Sequence, residues 1–150
     1  MASSLRVACE GLPFIKTVGL ADGIGSLPPE LVKKGHEVRV VMPLYQKIAQ
    51  NYHQDFYFEK EYSVSINYHE VPVRLYSIIK NNVVFYFVEH QGYFERDSLY
   101  GYDDDGERFA YFQKAVLEML NQLNYWPQII HCPDWHTGMI PCLCKEAHGY

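Results

Sequence analysis

Lys16, Gly19 and Asp22 fall within one short run, Pro-Phe-Ile-Lys-Thr-Val-Gly-Leu-Ala-Asp-Gly-Ile-Gly at 13–25, and their types suit the handling of a phosphate. A lysine ammonium at a loop–helix junction can meet phosphate oxygens. A glycine lets the backbone turn there or approach a ligand closely. A carboxylate in the first turn of a helix complements the helix dipole. Taken singly, each has an ordinary role as well: a solvated loop lysine, a turn into a helix and a dipole partner. A second cluster, Pro-Asp-Trp-His-Thr at 133–137, offers Asp134 as a helix cap, His136 as a donor to a hydroxyl and Trp135 as a packing or stacking surface.

These residues need elements to hold them. Leu5 to Cys9 reads as a buried strand, 10–19 as a loop, and Leu20 to Lys34 as a helix with apolar residues at Leu20, Ile24, Leu27, Leu31 and Val32, stopped by Gly35. A loop from a strand's carboxyl end to a helix's amino end is where α/β proteins bind phosphate, because free backbone N–H groups and the helix dipole converge there. His36 to Met42, closed by Pro43, is a second strand, and the unit reads as a right-handed βαβ. Phe56 to Tyr68, Val71 to Lys80 and Val83 to Glu89 are three strand-like runs, with Asn81-Asn82 as a hairpin turn signal. Residues 90–105 read as polar loop. Glu107 to Leu123 has helical spacing through Phe109, Phe112, Val116, Leu117, Leu120 and Leu123. Ile129 to Cys132 reads as a short buried strand, and Thr137 to Lys145 as the start of another helix. The expected class is α/β.

Composition narrows the function. The 150 residues are 48% hydrophobic, enough for one core of ordinary size. A net charge of -5 gives no basic face for nucleic acid. No run of about 18 apolar residues is present, so no membrane span is expected. The amino terminus lacks a signal-peptide pattern. Cys9, Cys132, Cys142 and Cys144 lie in apolar patterns, as reduced cysteines do, and cytoplasm is the expected compartment. No metal is expected. Cys142 and Cys144 would point to different faces of a helix, and His131 beside Cys132 would diverge in a strand. The run Asp103-Asp104-Asp105-Gly106 lacks the alternating oxygens of a calcium loop. Gly23-Ile-Gly25 lacks the third glycine of a dinucleotide fingerprint and reads as helix packing.

The loop at 16–20 is similar to the Lys-Thr-Gly-Gly-Leu loop of bacterial glycogen synthases and plant starch synthases, the retaining transferases of glycosyltransferase family 5. Leu-Tyr-Gly-Tyr-Asp-Asp-Asp-Gly-Glu-Arg-Phe at 99–109 and Ile-Ile-His-Cys-Pro-Asp-Trp-His-Thr at 129–137 resemble two further signatures of that family, in its order and spacing. The resemblance runs from about Leu5 to the last residue. It implies a Rossmann-like N-terminal domain of a GT-B glycosyltransferase, with an inserted β-meander and incomplete at its C-terminal end. Residues 1–150 would be the acceptor-side domain, truncated, with the C-terminal nucleotide-sugar domain absent.

The resemblance also implies roles. Lys16 and Gly19 would bind the nucleotide sugar, with Glu10, Tyr100 and Asp134 as further substrate-binding residues and Asp22 and His136 as catalytic ones. The partners would be ADP-glucose, an α-1,4-glucan acceptor and the missing C-terminal domain, with no cofactor, nucleic acid or membrane. The implied reaction is glucose transfer with retention to the non-reducing end of the glucan in glycogen biosynthesis, and the 150 residues alone are expected to be inactive. UDP-glucose stays open as donor. Another GT-B transferase, or a non-catalytic carbohydrate- or partner-binding module, stays open as an alternative. Three positions depart from the family pattern: Val18, where glycine is usual; Gly23; and Pro133, where histidine is usual.

Overall fold

The computed structural model describes residues 3–7, 35, 37–52, 54–80, 82–94 and 102–131. Six strands form one mixed sheet in the order β3-β4-β5-β2-β1-β6: β1 Ser3–Val7, β2 Glu37–Pro43, β3 Tyr57–Ile66, β4 His69–Lys80, β5 Val83–Glu89 and β6 Ile129–His131. The pairs β1–β2, β1–β6 and β2–β5 are parallel. The pairs β3–β4 and β4–β5 are antiparallel.

The two halves of the sheet carry different residues for a physical reason. In the parallel half both faces are covered, so the central strands are nearly continuous in buried apolar residues: Val38, Val40, Val41 and Met42 in β2, and Val83, Phe85, Phe87 and Val88 in β5. The outer strand β3 instead exposes Lys60 and Glu61, and among the described residues it is an edge strand, where charge discourages pairing with another chain.

The run read as one strand from Phe56 to Tyr68 is corrected at its end. Asn67 and Tyr68 both have positive φ, 50° and 67°, and form the two-residue turn between β3 and β4. Two positive φ values give the backbone twist a tight hairpin needs. Ser63 Oγ donates to Glu70 Oε2 across this hairpin at 2.9 Å. At the next turn Asn82 has φ 63°, where the Asn-Asn pair predicts a reversal. Gly35, read as a helix stop, has φ 86°, a conformation glycine adopts without steric cost. The helix expected before it, and the one expected from Thr137, lie outside the described residues.

Two short helices were not foreseen: α1, Gln46–Tyr52, and α2, Gln91–Phe94, the latter inside a stretch read as loop. The main helix, α3, is Asp105–Leu123, two residues longer at its start than its apolar spacing shows. The acidic run at 103–105 thus leads into its first turn, where negative charge is favourable. Its buried side includes Phe109, Phe112, Ala115, Val116, Met119 and Leu120. Two phenols fasten this helix to the sheet. Tyr62 Oη of β3 donates to the Ala115 carbonyl at 2.6 Å, and Tyr111 Oη donates to the Pro72 carbonyl of β4 at 2.8 Å.

The carboxyl end of α3 sets β6 in place. Asn124 is left-handed (φ 50°, ψ 44°), and Tyr125 N–H donates back to the Leu120 carbonyl at 3.0 Å, closing the helix. Tyr125 Oη then donates to the Ser4 carbonyl of β1 at 3.3 Å, and Gln128 N–H donates to the Ser3 carbonyl at 3.0 Å. Both bonds bring the chain to the side of β1 where β6 pairs. β6 is described over Ile129–His131, with Cys132 outside the described residues, and is less buried than its apolar residues suggest, because Ile129 is 54% exposed. Among the described residues no helix is long and apolar enough to cross a membrane.

Candidate active site

In the parallel half the strands run β5-β2-β1-β6, so the chain builds outward from β1 through β2 to β5 and then returns to the other side of β1 as β6. The reversal falls between β1 and β6. At such a point the segments leaving the two strands diverge, and a crevice opens beyond their carboxyl ends where α/β sheets hold ligands. The register is Ser4 to Ile129, Leu5 to Ile130 and Arg6 to His131. The two strands therefore end at one edge as immediate neighbours.

These are the strands that carry the residues singled out from the sequence. Glu10 follows the end of β1 by three residues, and Lys16, Gly19 and Asp22 come after it. Asp134 follows the end of β6 by three residues, and His136 by five. Glu10, Lys16, Gly19, Asp22, Tyr100, Asp134 and His136 all lie outside the described residues, as do Val18, Gly23, Pro133 and the four cysteines. The structure brings together the strand ends from which the first and last of these segments depart.

Several side chains the sequence reading passed over lie in β1 itself or where β5 ends, two strands away from β1. Arg6, beside His131 in the β1–β6 register, is buried in a strand of otherwise apolar inward residues, and burial lowers its pKa from the ordinary guanidinium value. At the end of β5 the chain turns sharply into α2. His90 stacks on Tyr93 with ring centres 4.0 Å apart and planes at 18°, and Tyr93 N–H donates to His90 Nδ1 at 3.1 Å. Tyr111 meets the same imidazole edge-on at 4.9 Å. Burial pushes the Tyr111 phenol up, with the neighbouring Tyr93 and Glu89 adding to the shift, so it stays a neutral donor.

Beside this turn is an open polar cleft of about 550 Å³, with Glu61, Arg74, Glu89, His90 and Gln91 among its lining residues. Arg74 Nη1 lies 3.7 Å from Glu89 Oε1, and its guanidinium lies 5.7 Å from the centre of the Phe58 ring. The cleft carries both signs of charge and hydrogen-bonding groups of several kinds. Its residues come from three strands, His90 and the start of α2, so no local motif announces it. The signals open to sequence reading were single ones, such as Arg6 and Arg108 interrupting apolar periodicities.

Comparison with known proteins agrees with the three sequence signatures. A family model described as starch synthase catalytic domain matches residues 5–150. A glycogen synthase of Clostridium kluyveri is 50% identical over 141 residues, covering 94% of this chain and 30% of that protein. A glycogen synthase of Streptococcus equi subsp. equi is 45% identical over 144 residues, again 30% of its length. The chain therefore spans about a third of the curated relatives it matches. The catalytic domain of Starch Synthase IV from Arabidopsis thaliana, solved bound to ADP and acarbose, superposes with a TM-score of 0.89 at 28% identity, covering 99% of this chain and 31% of that one. Strand order, signatures and relatives agree, and the chain belongs to the starch synthase catalytic domain family.

Proposed function

We propose that this chain is the acceptor-side, Rossmann-like part of a cytoplasmic GT-B glycosyltransferase that moves glucose from ADP-glucose to the non-reducing end of an α-1,4-glucan, with retention. The observation that carries the reading is the adjacency of β1 and β6 at the point where strand order reverses. The two segments with the densest chemistry leave from those neighbouring strand ends. The ADP and acarbose bound to the Arabidopsis relative support a nucleotide-sugar donor and a glucan-like acceptor. In this reading β3, β4 and β5 form the meander inserted into a Rossmann-like unit, with β5 joined in parallel to β2.

Each residue then has a role. Lys16 neutralises the departing diphosphate, and Gly19 lets the loop approach it. Asp22 and His136 face the sugar undergoing transfer, and Glu10, Asp134 and Tyr100 hold donor and acceptor hydroxyls. A second domain supplies the remaining phosphate-binding cations and the base pocket. Transfer is then chiefly positioning plus stabilisation of the leaving group's charge.

The experiment is transfer of labelled glucose from ADP-glucose to glycogen by the intact natural protein, by Lys16→Ala in that protein, and by residues 1–150 alone. The intact protein should transfer. Lys16→Ala should lose roughly 10- to 150-fold in kcat/KM, the equivalent of one charge-assisted hydrogen bond of about 1.5–3 kcal/mol. Residues 1–150 alone should transfer nothing. No labelled glucan from the intact protein, or unchanged kinetics in Lys16→Ala, would overturn this assignment.

A further inference from the structure

The face of β3, β4 and β5 that turns away from α3 is open, and strand register decides what it presents. Glu61 stands directly opposite Arg74, and Arg74 opposite Glu89, so three charged groups form one row across three strands. Phe58 opposite Tyr76, and Tyr76 opposite Phe87, form the next row. Positions three apart in a strand face opposite ways, but the register shift between Phe58 and Lys60 adds one residue and brings Phe58 to the side of Glu61. Tyr62, the neighbour of Glu61, points the other way and bonds to α3. Phe58, Glu61, Pro72 and Arg74 are all exposed.

The two rows touch. Arg74 lies over the Phe58 ring at 5.7 Å, and Phe58 meets Tyr76 edge-on at 5.5 Å. Burial raises the Tyr76 pKa, Glu89 adds to the rise, Arg74 opposes it and Glu61 adds again, so the phenol sits among the charged row. That row opens into the polar cleft of about 550 Å³, where His90 and Gln91 join it. His90 Nδ1 accepts from the Tyr93 N–H, which leaves Nε2 as the donor of a neutral imidazole.

Planar carboxylates accept hydrogen bonds in pairs, a guanidinium donates them in pairs, and a carboxamide does both. Neighbouring hydroxyls of a sugar each donate and accept, and the C–H face of its ring packs on an aromatic side chain. Two carboxylates against one guanidinium leave no surplus of positive charge, which disfavours a phosphate or a polyanion. The fit is to an uncharged, polyhydroxylated chain. Because β5, β2 and β1 are parallel, the end of β5 lies on the same sheet edge as the ends of β1 and β6. β4 is three strand spacings from β1, about 14 Å. We propose that the cleft and the Phe58–Arg74 face form a second carbohydrate subsite, which holds a distal stretch of an α-1,4-glucan whose end lies at the β1–β6 edge. The choice of glucan rests on the glucosyl-transfer reading above; the residues of the subsite are all described.

The test compares the intact protein with its Arg74→Ala, Phe58→Ala and Glu61→Gln variants, and with Tyr57→Ala as a control on the opposite face. Calorimetry measures binding of β-cyclodextrin, a ring of α-1,4-linked glucose with no end to extend. Steady-state kinetics measure transfer to glycogen and to maltose. The parent and Tyr57→Ala should bind the ring equally. Arg74→Ala and Phe58→Ala should bind it roughly 5- to 30-fold more weakly, as loss of one good contact does, and Glu61→Gln should weaken it too. The KM for glycogen should rise by a similar factor. Maltose is too short to reach the cleft from the β1–β6 edge, so its KM and that for ADP-glucose should stay within about two-fold. No ring binding by the parent, equal binding in all variants, or a KM that rises as much for maltose as for glycogen would overturn the proposal. Should either alanine variant fail to fold, Glu61→Gln, which keeps the side chain's shape, decides the question. A parent protein that transfers no glucose overturns the transferase reading, and ring binding by the variants then decides this inference by itself.

Discussion

Tyr111 reaches from α3 to the sheet and gives its proton to the Pro72 carbonyl, with the Glu89 carbonyl at 3.4 Å. Burial raises its pKa, and burial likewise raises that of Tyr62. The sign of the consequence follows from linkage. An unfolded tyrosine ionises near pH 10, whereas the folded one keeps its proton above that value, so the stability it contributes is complete below about pH 10 and is lost as pH rises further. Tyr111→Phe in the intact protein should cost about 0.5–1.5 kcal/mol near neutrality, the net worth of one part-buried hydrogen bond. It should also flatten the alkaline decline. Denaturant titrations from pH 8 to 11 measure both, and an unchanged alkaline slope would show that Tyr111 ionises in the folded protein. At this scale the sequence offers runs with known chemistry around Lys16 and His136, both outside the described residues. It was silent on Arg6 and Arg108, since a lone arginine in an apolar pattern looks like any solvated one until its neighbours are known.

Among the elements, strands were easier to read than turns and short helices. β2, β4 and β5 are long and β-branched, and their pattern places them within a residue or two. The β3–β4 turn falls at Asn67 and Tyr68, two residues before the break between the two runs, because tyrosine is a strand-favouring residue and asparagine alone does not mark a break. α1 and α2 have only seven and four residues, too few for helical periodicity to separate from chance. Tyr68 therefore occupies a turn position against its preference, with a fully exposed side chain that packs on nothing. A non-glycine residue in the left-handed region costs about 1–2 kcal/mol. Tyr68→Gly should relieve part of that, offset by the greater freedom of glycine in the unfolded chain, for a net gain of roughly 0.5–1 kcal/mol. The midpoint of urea unfolding measures it. A variant less stable than the parent would mean that the tyrosine holds the hairpin through contacts outside the turn.

For the molecule as a whole, strand pairing could be read only in part. A hairpin between neighbouring strands follows from a turn signal, but the place of β6 beside β1 depends on contacts between residues far apart in the chain. The Tyr125 and Gln128 bonds to Ser4 and Ser3 decide it, and nothing local in either segment encodes them. Hence the sequence offers the candidate site as separate motifs, while the adjacency of the two strands they follow is not encoded in either one.

That adjacency also has a kinetic side. The two hairpins of β3, β4 and β5 close over short stretches of chain, and α3 follows nearby. The bond between Ser3 and Gln128 closes a span of 125 residues. Loop closure over so long a span is entropically costly, and it is favoured only after a surface exists to receive the returning strand. The crevice between β1 and β6 should therefore be assembled last, on a scaffold that is already in place. Pulse-labelled hydrogen exchange during refolding of the intact protein should find β4 amides protected before those of β1 and β6. Simultaneous protection would mean that the whole sheet condenses in one step. Late assembly leaves the edge between β1 and β6 as the part of the sheet that a nascent chain exposes longest, and a partly made protein would carry its hairpins well before those two strand ends meet.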